Sequence, residues 1–407
     1  MTFYHKIIYI ILAAITCISC KNDDNQVHQK LVGLSVSQAL TNIAEIENTE
    51  ERIQFAEKLW SALIDSASIP YVNGDTAIFL YKGNAQKVNW NGDFNAWGRD
   101  ASFRNSGRNI DSTSIWFLIK SFPNDARLDY KIILNNQQWI VDPQNPNQQW
   151  SGFGPNSELR MPKWIKSSHN KSKSAVPKGT IDSFTINSVH LNYTVSYQVY
   201  LPSDYASNDN LPVLYVTDGH EYIDEKLGNM TTIADNLINE QLIEPIIIVF
   251  LDPRDPNNLQ VNRREQEYTL NEDYLLFVTE ELNGHMDSVY RVQKENKGII
   301  GTSLGGLNAT YFGLKKPNLF INVGIQSPAY WYKPEIFNLV SNSSPTDQKV
   351  MITAGTFNDG LENAVNMQRS YKQLQMEPNF LTVNEGHSWG AWNNQLDDFL
   401  LFFYAQE

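Results

Sequence analysis

Beyond residue 20 the chain contains no cysteine, because its two cysteines are Cys17 and Cys20. No disulfide can brace the folded part, and cysteine nucleophiles, zinc–thiolate sites and iron–sulfur clusters are excluded. Basic blocks are missing as well. With 32 Lys and Arg against 45 Asp and Glu, the formal net charge is −13. Nothing here neutralises a phosphate backbone, so no nucleic-acid partner is expected. Histidine is scarce at 7 residues, which shortens any search for a general base. What the chain has is bulk: 407 residues, 42% hydrophobic and 12% aromatic, enough for two domains with sizeable cores.

No apolar run after the leader is long enough to span a bilayer. The leader itself, "MTFYHKIIYIILAAITCISC", places Lys6 before a short apolar run, ends in Ile18-Ser19-Cys20 and turns polar with "KNDDNQ". Residues 1–20 resemble a bacterial lipoprotein signal, in which Cys20 is lipidated. The expectation is an exported outer-membrane lipoprotein, on the periplasmic face or at the cell surface, held to the membrane by its N-terminal lipid.

Residues 21–66 read as a polar tether followed by a helical segment, "IAEIENTEERIQFAEKLWSALI". From Thr76 the hydrophobic period becomes two. "TAIFLYKG", "KVNWNG", "SIWFLIKSF", "LDYKIIL" and "QQWIV" are short strands between Asn- and Pro-rich turns, so 67–166 is expected to be a small antiparallel β-sandwich. "DPQNPNQQWSGFGPNSELRMP" reads as irregular, and the Ser/Lys-rich 167–179 as a linker. Residues 180–407 alternate apolar strand runs with helices ("LPVLYVTDG", "EPIIIVFLDP", "INVGIQSP", "KVMITAG"), the pattern of an α/β domain with a mainly parallel sheet covered on both faces.

Within that domain "GIIGTSLGGLNATYFGLKKP" runs strand, Gly-x-Ser-x-Gly turn, then helix. Ser303 would stand on a strained turn at a helix N-terminus, with Gly301 and Gly305 keeping side chains out of a crowded backbone. A serine hydroxyl needs a base. His5, His28 and His169 fall in the leader, tether and linker, which leaves His190, His220, His285 and His387. His387, in "NEGHSWGAW", follows the last strands, as the order serine, acid, histidine requires. The acid should leave the preceding strand. Asp359 in "KVMITAGTFNDGLENAV" comes first and Glu362 is its rival. The oxyanion would take the amide of Leu304 and a second one from Gly219, His220 or Glu221 after "LPVLYVTDG". Such chemistry calls for no cofactor and no metal. Its partner would be a small-molecule or oligosaccharide ester.

These motifs, with "YLPSDY", "NRREQEY", "FVTEELNGHMDSVY", "QSPAYWY" and "EGHSWGAW", resemble the esterase family that includes enterochelin esterases, feruloyl esterases and esterase D. The part before them, with "FLYKGNAQKVNWNGDFNAW" and "DPQNPN", is similar to the immunoglobulin-like early-set domain of enterochelin esterases, and to a starch-binding-like module that precedes some feruloyl esterases. The resemblance implies an α/β-hydrolase with Ser303, His387 and Asp359 as triad, and a catecholate siderophore-type ester as substrate, a feruloyl or acetyl polysaccharide ester being the alternative. A non-catalytic surface protein binding glycan or siderophore is the alternative from another class. The resemblance also places Arg264, Trp331 and Tyr222 beside the substrate, with a structural ion pair and a core indole as the other roles for the first two. Among the sandwich tryptophans, Trp90 and Trp116 read as core, and Trp97 is the one placed to meet a sugar.

Overall fold

The period-two segment after Thr76 is an antiparallel sheet in the computed structural model, which describes residues 34–65, 69–152 and 154–406. The expected signal peptide, the lipidation site Cys20 and most of the tether lie outside the described residues. The chain divides into two compact units, Met1–Gln149 with Phe153–Trp164, and Trp150–Gly152 with Ile165–Glu407.

In the first unit, strands Tyr71–Asn73, Thr76–Lys82, Ile115–Ser121 and Arg108–Asn109 lie side by side in that order. A second antiparallel group forms around Arg127–Leu134, which pairs with Val88–Gly92, Gln138–Ile140 and Asn156–Arg160. Phe79 packs against Trp90, Phe94, Phe122 and Tyr130 with ring centroids 5.1–6.3 Å apart, so aromatic rings fill the space between the groups. The next residues along the strand, Ile78 and Leu80, point the other way. They share a core with Leu40, Ile43, Phe55, Leu59 and Leu63 of helices Val36–Ala44 and Thr49–Asp65. The helical segment is thus part of this unit's core.

Strand Asn156–Arg160 falls inside the stretch that reads as irregular. Its Glu158 Oε1 accepts from Arg127 Nε at 2.8 Å, and Arg127 also pairs with Asp129, all three buried. Charges buried only because they meet each other leave no hydrophobic signature. Trp90 is buried as expected, whereas Trp116 is half-buried. Trp139 is 47% exposed and stacks on Trp97 at 6.5 Å and 25°.

The second unit is built on strands β1 Thr180–Ser188, β2 Tyr193–Leu201, β3 Leu211–Val216, β4 Ile247–Asp252, β5 Val292–Thr302, β6 Phe320–Gln326, β7 Lys349–Phe357 and β8 Asn379–Gly386. Their order in the sheet is β1-β2-β4-β3-β5-β6-β7-β8, antiparallel at the first two pairings and parallel from β4 onward. Val213, Tyr215, Ile299, Val323 and Ile352 enter one core, and Leu214, Val216, Ile248, Ile300 and Met351 the other. Both faces are covered, which is why these strands read as unbroken apolar runs. This is the α/β-hydrolase arrangement, with β3 and β5 adjacent at the centre and their C-terminal ends side by side. Strand β8, too polar to stand out in the sequence, follows β7 and delivers His387 just past its end. The segment expected to be a linker is packed into this unit: Asn170 is buried and donates to the Asn393 carbonyl at 3.0 Å. Polar side chains that bond inward look from composition like a solvated tether.

Candidate active site

At the end of β5 the chain reverses through Ser303, whose φ of 59° and ψ of −117° are uncommon for a residue with a side chain. Such a conformation costs about 1–3 kcal/mol and persists only where its surroundings enforce it. Three backbone bonds do so. The Ser303 amide donates to Gln326 O at 3.0 Å, and its carbonyl accepts from the Leu307 and Ala329 amides at 3.1 and 2.9 Å. A Cβ on Gly301 would stand 2.2 Å from Thr217 Oγ1, and one on Gly305 2.4 Å from the same atom. Helix Leu304–Lys315 begins immediately, so the Leu304 amide has no intrahelical partner and sits at the positive end of the helix dipole.

His387 Nε2 lies 3.0 Å from Ser303 Oγ, and its Nδ1 lies 2.6 Å from Asp359 Oδ1. An ionised carboxylate only accepts, so Nδ1 carries the proton and Nε2 faces the serine as an acceptor. The Asp359 carboxylate is buried at 2% exposure, and its Oδ2 accepts from Ser327 Oγ at 2.6 Å and the Gly355 amide at 2.5 Å. Glu362 is exposed in the first turn of helix Leu361–Gln373. Of the two candidate acids, Asp359 is the one at the imidazole. The ring itself is edged by Trp392 at 4.9 Å and Trp331 at 5.9 Å.

Beside the elbow, at the end of β3, Asp218 adopts a left-handed conformation and leads into a short helix, Gly219–Ile223. The Glu221 amide donates to the Asp218 carbonyl at 2.8 Å, which leaves the Gly219 and His220 amides at the helix start. Gly219 has no room for a side chain, since a Cβ there would lie 2.5 Å from the Phe250 backbone. Burial pushes the His220 imidazole below its usual range, against the pull of Asp252, whose Oδ1 is 3.4 Å from Nδ1. Burial likewise raises Glu221, while the Trp389 indole donates to its Oε2 at 3.1 Å. Nearby Glu267 is pushed up to about 8 by burial, despite the Tyr193 hydroxyl donating to Oε1 at 2.8 Å.

The other expected residues separate. Trp331 is 49% exposed at the rim beside His387. Arg264 is occupied: Nε and Nη2 reach the buried Asp218 carboxylate at 2.7 and 2.8 Å, and Nη2 also donates to the Thr302 carbonyl at 3.2 Å. It fastens the end of β3 to the end of β5. Tyr222, expected at the substrate, is fully buried, with its hydroxyl on Gln326 Oε1 at 2.9 Å and its ring edge-on to Trp389. An aromatic next to a loop motif looks available in sequence, but this one turns inward from its short helix. Gln326, Ser327, Thr217 and Trp392 went unnoticed in the sequence. Only the five-residue interval from His387 to Trp392 and the Gln-Ser pair at the end of β6 hint at them.

Residues 188–403 match the family model described as "Putative esterase". Among curated proteins the chain is similar to the uncharacterized protein YjcH of Bacillus subtilis, with 30% identity over 156 residues. That match covers 38% of this chain and 64% of YjcH, so the chain spans less than two thirds of that relative's length. Among solved structures, the ferric enterobactin esterase of Salmonella typhimurium superposes with a TM-score of 0.70 at 17% identity, covering 81% of this chain and 93% of that one. The enterobactin esterase of Shigella flexneri, in the presence of enterobactin, gives 0.67 at 20%, covering 80% and 92%. At these identities the likeness is one of fold.

Proposed function

We propose that this chain, which belongs to the esterase family whose model it matches over 188–403, is a serine carboxylic-ester hydrolase working through an acyl-enzyme. The observation that carries the proposal is the unbroken line Ser303 Oγ, His387 Nε2, His387 Nδ1, Asp359 Oδ1 on a strained elbow. His387 takes the Ser303 proton as Oγ attacks the ester carbonyl, and Asp359 stabilises the imidazolium. The Leu304 amide and those of Gly219 and His220 face the developing oxyanion. Collapse expels the alcohol with the proton from His387, and a water activated by the same imidazole then releases the acid.

For the substrate we favour a catecholate siderophore-type ester. The resemblance of both the early-set part and the catalytic part to enterobactin esterases supports it, as does the half-exposed Trp331, whose ring can stack on an aromatic acyl group. The test incubates the protein and its Ser303→Ala variant with a triscatecholate siderophore and a feruloylated arabinoxylan oligosaccharide, following products by mass spectrometry. Serine-dependent release of catechoyl-serine units is the expected outcome, and ferulate release alone would overturn the substrate assignment. The stacked Trp97–Trp139 pair favours that second reading, a feruloyl or acetyl esterase on polysaccharide, because the exposed Trp139, backed by the half-buried Trp97, offers a flat indole face that suits a sugar ring. Under it, Trp139→Ala slows turnover of the oligosaccharide ester but not of a small aryl ester.

We also propose that the protein is an exported lipoprotein of the outer membrane, lipidated on Cys20. Metabolic labelling with a lipid analogue should mark the native chain, and labelling that persists in Cys20→Ala would contradict it.

A further inference from the structure

We infer that Ser327, oriented by Trp392, is the positioning residue that aims the triad carboxylate. The inference rests on the serine-esterase proposal above. Ser327 follows β6 directly, is buried, and has a φ of 44° that a residue with a side chain seldom adopts. Its amide donates to the Thr353 carbonyl at 2.8 Å, which fastens it to β7, the strand before Asp359. The hydroxyl lies 2.6 Å from Asp359 Oδ2 and 2.9 Å from Trp392 Nε1.

The direction of these bonds is fixed by chemistry. An indole N–H only donates and an ionised carboxylate only accepts. Trp392 therefore donates to Ser327, and the serine's single proton is left for Asp359. With the Gly355 amide on the same Oδ2 at 2.5 Å, that oxygen is held from two sides and Oδ1 is left to His387. Rotating the carboxylate would break both bonds. Trp392 also stands at 88° to the His387 ring, 4.9 Å away, so one indole bounds the base and orients the serine behind the acid. Gln326 Nε2 donates to the Trp392 carbonyl at 3.0 Å and locks that indole's backbone to β6.

The test compares wild type, Ser327→Ala, Trp392→Phe and the double variant. Trp392→Phe keeps an aromatic ring beside His387 but removes the donor. For each protein, kcat and KM are measured on a chromogenic aryl ester, and the low-field proton resonance of His387 Nδ1–H is recorded by NMR. Ser327→Ala should lower kcat about tenfold or more, the effect on rate of losing one hydrogen bond to a charged group, with KM little changed and the resonance moved or broadened. Trp392→Phe should act in the same direction and more weakly. Because the tryptophan acts through the serine, the double variant should lose no more than Ser327→Ala alone. Wild-type kcat with an unmoved resonance in Ser327→Ala, or losses that multiply in the double variant, would overturn the inference. Should Ser327→Ala fail to fold, the resonance in Trp392→Phe decides by the same criterion. Turnover that survives Ser303→Ala would defeat the esterase proposal instead, while the resonance still reports on Ser327 without any turnover.

Discussion

Asp359 and Glu362 are three positions apart and face different fates, so substitution separates them cleanly. Asp359→Asn keeps the shape but removes the charge that fixes the imidazole tautomer, and kcat should fall about 10⁴-fold. Glu362→Gln, exposed on its helix, should leave kcat within about twofold on the same ester. At this scale the sequence was legible where chemistry demands a residue type at a set place in the chain order. Ser303, His387 and Asp359 could be located that way. Tyr222 and Arg264 could not be placed, because whether a side chain faces a substrate or a neighbour is decided by partners distant in the chain, here Gln326 and Asp218.

The elbow and its neighbouring loop are held by Arg264, whose removal strands the buried Asp218 carboxylate. Arg264→Ala should cost about 3 kcal/mol of stability in urea denaturation and lower kcat as the Gly219–His220 turn shifts. A raised KM with unchanged stability would instead make Arg264 a substrate contact. Gly301→Ala should be destabilising by about 1–3 kcal/mol, because the new Cβ would meet Thr217 Oγ1 and the Gly305 backbone at 2.2 and 2.4 Å. Elements whose signal is local, such as this elbow and the apolar central strands, are visible in the sequence. Strand Asn156–Arg160 is not, because its place depends on Glu158 reaching Arg127 across the sheet. Nor is β8, whose residues are mostly half-buried or exposed and carry no continuous apolar run.

Across the whole molecule, burial sets an unusual dependence of stability on pH. Glu267 is raised from 4.5 to about 8, so between those values the folded chain holds a proton that the unfolded chain has released. Stability therefore falls as pH rises through that window, by on the order of a few kcal/mol. Asp142, raised by burial from 3.8 to about 6, acts in the same direction over the lower part of the range. Glu267→Gln mimics the neutral carboxyl. Its stability relative to wild type should improve steadily from pH 5 to pH 8, and a difference that stays constant would contradict the assignment. Neither group is identifiable from sequence, since both owe their shift to depth within the fold.

The central claim is that Ser303 becomes acylated. The most direct measurement treats the protein with a fluorophosphonate and maps the adduct by peptide mass spectrometry, beside His387→Ala. Stoichiometric modification of Ser303 that drops steeply without His387 is the predicted result. An unmodified Ser303, or labelling indifferent to His387, would contradict the account.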